Sequence, residues 1–189
     1  IAERLEDFNE AIADPGVGAI LASRGGFSVN QLLPYLDFAR IRKSRKVICG
    51  HSDITALVNA VFARASLVVY LGPNFSTVGW ARDASYTLAA FDRAVRQLRP
   101  GSWEHSMRWN DPDDSARNVS SRNPGPFVIR RGRSEGTVVG GNLCTLNLLH
   151  GTPFMPWFGG EPCSGSKTTR SRASGRRRNS TGTWSRCCS

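Results

Sequence analysis

Two spacings of apolar residues alternate along the first hundred positions. Leu5, Phe8 and Ile12, with Ala11, fall on one face at helical spacing, and Asp14-Pro15-Gly16 closes that helix. Val17 to Ala22 is instead a continuous apolar run, as expected of a strand covered on both faces. The pattern then predicts a helix from Ser28 to about Asp37, with Ser28 as its cap. A strand from Lys46 to Cys49 and a helix from Ile54 to Arg64 follow. A third strand, Leu67 to Leu71, ends at Gly72-Pro73, and a helix from Tyr86 to Leu98 is stopped by Pro100-Gly101. Strands that alternate with helices imply an α/β fold on a parallel sheet with right-handed crossovers. Ligands on such sheets collect at the carboxyl ends of the strands, where Gly25, Ser52 and Gly72 fall.

The pattern changes after residue 100. Residues 101–126 are polar and contain Pro112, Pro124 and Pro126, so they read as linker and loop. Phe127–Arg130 and Thr137–Val139 then read as strands, and Leu143–Leu149 as a short apolar helix, which together look like the opening of a second domain. The expected division is an α/β domain over 1–105, a linker over 106–126, the start of a smaller domain over 127–160, and a tail over 161–189. The chain opens on Ile1-Ala2-Glu3-Arg4, which reads like the middle of a protein.

Charge refines this division. The chain of 189 residues has a formal charge of +10, which ordinarily suggests nucleic acid or an anionic surface. Residues 161–189 hold seven Lys or Arg and one acid, a balance of +6, so only +4 remains for the other 160 residues. The body is mildly basic, and this argues against nucleic acid as its partner. No run of about 18 apolar residues is present to span a membrane. The five cysteines show no metal-ligand spacing, and an odd count with an adjacent pair makes a poor disulfide framework. A reducing, cytoplasmic setting follows, with no metal and no cofactor expected.

Candidate chemistry centres on Lys46-Val47-Ile48-Cys49-Gly50-His51-Ser52-Asp53-Ile54-Thr55-Ala56-Leu57. An apolar run ends at a glycine, and a serine on the sharp turn precedes a helix. Such a turn pushes a serine out of the sheet beside unpaired helix N–H groups. This is how a fold presents an oxygen nucleophile next to an oxyanion site. Ile54 stands where the hydrolase elbow Gly-x-Ser-x-Gly has glycine. Taken alone, the window favours the plainer reading, in which Ser52 or Asp53 caps the helix. Two further windows change the balance: Arg24-Gly25-Gly26-Phe27, and Glu135-Gly136-Thr137-Val138-Val139-Gly140-Gly141-Asn142-Leu143 running into Gly151-Thr152-Pro153.

In this order the three segments resemble the LD-carboxypeptidase family of serine peptidases, over about residues 1 to 157. The stretch from Trp103 to Asp113 looks more like its microcin-immunity branch. The resemblance implies a doubly wound N-terminal domain, here lacking its first strand region, that meets a smaller C-terminal domain at a cleft. It implies Ser52 as nucleophile and the backbone amides of Gly25 and Asp53 as the oxyanion hole. The substrate would be a murein tetrapeptide or a peptidyl-nucleotide, cut at an amide next to a free carboxylate; a homodimer is compatible with it. Arg24 reads as a solvated turn residue and Glu135 as an exposed strand start.

The family's base and acid do not appear at matching positions. His51 adjoins Ser52 but points away on the turn, His105 lies in the linker, and His150 ends the apolar helix. The family's Leu-Glu-Asp segment belongs near Glu161–Arg170. Codons for those residues, read in the alternative frame, can spell Ala-Leu-Phe-Trp-Leu-Glu-Asp-Asp-Glu. A frameshift near residues 158–161 is therefore expected, and with it an unstructured, out-of-frame tail and a truncated, inactive fragment. A reading from a different class is a non-catalytic binding module with a basic nucleic-acid-binding tail.

Overall fold

The computed structural model describes residues 1–80, 84–97, 101–109, 120–133 and 136–156. Helix α1, Ala2–Ala13, leads into strand β1, Ala19–Leu21; a 3-10 helix, Val29–Tyr35, and helix α2, Phe38–Ser44, precede strand β2, Val47–Gly50. Helix α3, Ile54–Ala65, connects to strand β3, Tyr70–Leu71, and helices α4, Phe75–Trp80, and α5, Ser85–Arg96, come next. The three strands form a parallel sheet in the order β1-β2-β3, with Ile20 opposite Ile48 and Cys49 opposite Tyr70. This α/β arrangement puts the turns that follow all three strands on one rim.

Burial explains the order. Ile48 and Cys49 on the central strand are almost fully buried. Helix α3 buries eight of its twelve residues, because it is packed by the 3-10 helix, α2, β2 and β3 together. Lys46 sits among these apolar groups with its ammonium donating to the carbonyls of Asp14 and Val17, so the buried charge is hydrogen-bonded and ties the end of α1 to the start of β2.

Several local expectations are corrected. The helix expected from Ser28 to Asp37 is a 3-10 turn containing Pro34. Proline has no N–H to donate and clashes one turn back, which disfavours a continuous α-helix there. Ser28 has φ 71° and does not cap it through its side chain. A separate helix, α2, starts instead at Asp37, whose carboxylate accepts from the Arg40 N–H at 2.9 Å. Phe127–Arg130 and Thr137–Val139 are not strands. Among the described residues no strand pairs with either, and Phe127, Ile129 and Val138 are about nine-tenths exposed. Within the expected linker, β4, Arg108–Trp109, pairs antiparallel with β5, Ser121–Arg122. The short apolar helix forms as α6, Leu143–Asn147, and Leu149 behind it is buried in the core with Leu146, Phe154 and Met155 packed alongside. The tail over 161–189 and Glu135 lie outside the described residues.

Candidate active site

Ser52 follows the last residue of β2 by two positions and has φ 63°, in the left-handed region that serine rarely adopts. The turn is imposed by tight packing around Gly50. A Cβ there would lie 2.8 Å from Ile54 Cγ2, 2.9 Å from Asn74 Oδ1 and 3.1 Å from Ala22 Cβ. Three backbone donors then close the start of α3: Ile54 N–H to His51, Thr55 N–H to Ser52 and Ala56 N–H to Asp53. A non-glycine residue held at positive φ is a strained position of the kind that clusters at active sites.

Neither Ser52 nor Asp53 caps α3 through its side chain. Asp53 is buried, and its Oδ2 accepts from the Val29 N–H at 3.0 Å, which anchors the 3-10 helix to the turn. The capping expectation is therefore corrected: the carboxylate is drawn to a donor 24 residues upstream rather than to its own helix.

Gly25 lies directly against Ser52. An added Cβ would come within 2.7 Å of Ser52 Cβ and 3.0 Å of Ser52 Oγ, and 3.5 Å from the Asp53 nitrogen. The structure thus brings Gly25, Ser52 and Asp53 together, from the turns after β1 and β2. The turn after β3 joins them. Asn74, fully buried, accepts from the His51 N–H at 3.0 Å through Oδ1, while Phe75 and Ser76 donate to the carbonyls of Ala22 and Ser23. His51 itself is exposed, with Nε2 3.1 Å from Thr77 Oγ1. Asn74 and Thr77 were missed in the sequence because they follow a proline turn with no motif of their own. The sole signal was the asparagine after Gly72-Pro73.

Beside this rim a cavity of about 740 Å³ is lined by His51, Phe62, Tyr70, Leu71, Phe91 and Trp103, among others. The described residues contain no cluster of three His, Cys, Asp or Glu side chains able to hold a metal ion, and no helix long and apolar enough to cross a membrane. Cys49 lies under the site; burial pushes its thiol from 9.0 up to about 11, offset in part by a backbone hydrogen bond from Gly72. The folded chain therefore holds this proton more tightly than the unfolded chain does. Between pH 9 and 11 only the unfolded state ionises, so stability should fall as pH rises through that window. Urea unfolding of wild type and Cys49→Ala across pH 8–11 checks this: the fall should be shallower in the variant.

The third motif reaches the same helix from behind. Asn142 N–H donates to Thr55 Oγ1 at 3.0 Å, and Asn59 Nδ2 donates to the carbonyls of Gly140 at 2.9 Å and Thr55 at 2.8 Å. Comparison with known proteins adds a family: the one described as LD-carboxypeptidase N-terminal domain matches residues 1–72. Over 160 residues the chain is 45% identical to YocD of Bacillus subtilis, covering 82% of this chain and 49% of that protein.

The chain belongs to the LD-carboxypeptidase family.

Other LD-carboxypeptidase relatives extend the comparison. The microcin C7 self-immunity protein MccF of Escherichia coli is 30% identical over 168 residues, covering 82% of this chain and 48% of the relative. A crystal structure of an MccF-like protein from Bacillus anthracis superposes with a TM-score of 0.78 at 40% identity, over 82% of this chain and 48% of that one. The chain spans about half the length of the curated relatives it matches. MccF has been solved with aspartyl sulfamoyl adenosine, and as an active-site mutant in which a serine, an asparagine and a lysine are replaced by alanine.

Proposed function

We propose that this chain carries the nucleophile-bearing part of a serine carboxypeptidase that hydrolyses an amide next to a free carboxylate. The observation that supports this most directly is Ser52 at φ 63° on the strand–turn–helix, with Gly25 against its Oγ. In this reading Ser52 Oγ attacks the amide carbon, and the backbone N–H groups of Asp53 and Gly25 receive the charge that develops on the carbonyl oxygen. Glycine at 25 suits that role because any side chain would occupy the space beside Oγ. The substrate classes come from the relatives: murein tetrapeptide carboxypeptidase names one, and the sulfamoyl adenosine bound by MccF resembles a peptidyl-nucleotide. The reading places the protein in the cytoplasm, where Cys49 and Cys144 stay free thiols.

A serine hydroxyl needs a base, and the base an orienting acid. His51 bonds Thr77, and the His105 ring packs against Gly125. His150 is exposed behind α6. We therefore expect the 189-residue chain to turn over an LD-tetrapeptide and a peptidyl-adenylate analogue at least about 10³-fold more slowly than a chain restored in frame near residue 160 and completed to the relatives' length. Parallel assays of the two polypeptides test this. Rapid turnover by the short chain that Ser52→Ala abolishes would show that another base is present in it, His51, His105 or His150.

A further inference from the structure

Thr55 is fully buried on the first turn of α3, three residues after Ser52. Two connections meet on it. Its N–H donates to the Ser52 carbonyl at 3.0 Å, so its backbone closes the turn that holds the serine at positive φ. Its hydroxyl accepts from the Asn142 N–H at 3.0 Å. Gly141 fits against the same side chain at φ 130°, and a Cβ there would lie 2.6 Å from both Thr55 Cγ2 and Oγ1. Only glycine can adopt that backbone and leave that space empty. Buried Asn59, one turn on, bridges the Thr55 and Gly140 carbonyls through one amide nitrogen.

We propose that Thr55 is a positioning residue: its hydroxyl latches segment 140–142 onto the nucleophile helix, and its backbone passes that registration to the Ser52 turn. The link to reactivity rests on the reading of Ser52 as nucleophile. The latch itself does not, because it consists of contacts within the fold. A threonine suits the position because its methyl fills the hollow over Gly141 while its oxygen meets the Asn142 N–H. Valine keeps the shape and removes the acceptor, whereas serine keeps the acceptor and removes the methyl.

The test uses the full 189-residue chain as wild type, Thr55→Val and Thr55→Ser. Amide hydrogen exchange is followed by NMR at Asn142, with Ile48 and Val61 reporting on the core. Loss of one hydrogen bond should speed exchange at Asn142 by roughly 3- to 10-fold in Thr55→Val. Thr55→Ser should keep it near wild type, and the core amides should not change in either. Unchanged exchange at Asn142 in Thr55→Val, or equal acceleration in Thr55→Ser, overturns the latch, as does core acceleration to match Asn142. If Thr55→Val fails to fold, Gly141→Ala probes the same contact from the other side and should release Asn142 while leaving the core intact. Protection retained in Gly141→Ala overturns the latch. In parallel, the same three forms of a chain completed to the length of the relatives are treated with excess fluorophosphonate: Ser52 Oγ bonds to phosphorus, fluoride leaves, and the hydroxyl proton passes to solvent. Labelling should slow in Thr55→Val and recover in Thr55→Ser; equal labelling of all three overturns transmission to Ser52. A wild-type Ser52 that takes no label while Asn142 stays latched supports the latch and counts against the nucleophile.

Discussion

Ser52→Ala is expected to lower kcat on an LD-tetrapeptide by at least about 10⁴-fold, with KM little changed, in a chain completed to the length of the relatives. The substitution removes one oxygen and nothing else the fold uses, since no side-chain hydrogen bond of Ser52 supports the start of α3. Alanine meets the same conformational resistance at φ 63° as serine does, so stability should stay close to wild type. Binding groups and backbone N–H donors would remain, leaving a small residual rate from water attack. Steady-state kinetics and thermal unfolding of the two proteins decide the matter. A variant that keeps more than about a tenth of the wild-type rate would remove Ser52 from the mechanism.

Gly25→Ala is the second large effect, and its cause is purely steric. The backbone of Gly25 is not in the left-handed region, so alanine is conformationally allowed there. Its methyl would nonetheless sit 2.7 Å from Ser52 Cβ and 3.0 Å from Oγ. Ser52 Cβ cannot swing aside, because it is fixed to a turn closed by three backbone hydrogen bonds. The two turns must separate instead, and a misplacement of about 1 Å at a reacting group can cost about 10²-fold in rate. We expect kcat to fall by about 10²-fold and stability by about 1–3 kcal/mol. Gly26→Ala is the control, since nothing lies within 4 Å of a Cβ at that position. Equal behaviour of the two variants would show that the contact with Ser52 has no role.

Much of this site was legible in the chain because its parts are local. The apolar runs ending at Ala22, Cys49 and Leu71 indicate the parallel sheet, whose strands end at Leu21, Gly50 and Leu71, and the turns that follow them converge on one rim. What could not be read depended on distant partners. The Asp53 carboxylate looks like a helix cap in the sequence, yet Val29 competes for it from 24 residues away. Asn142 does cap α6 through its side chain, but its N–H belongs to Thr55, 87 residues back. Phe127–Arg130 has the composition of a strand and no partner among the described residues, and β-propensity alone does not make a sheet. Apolar spacing indicates a helix from Ser28 to about Asp37 but not its type, and Pro34 stands inside the 3-10 form that the chain adopts over Val29–Tyr35.

The left-handed backbone at residue 52 also bears on how this chain can change over generations. Glycine would occupy that conformation at lower cost than serine, and a strained functional residue is commonly held against stability. Once hydrolysis ceased to matter to the host, nothing in the fold would defend the hydroxyl, and drift toward glycine at 52 would make the protein sturdier. With Ser52 in the proposed role of nucleophile, the residue at that position is a marker of selection on chemistry: in lineages that have abandoned the reaction, glycine should appear there while the buried core around Ile48 and Val61 persists.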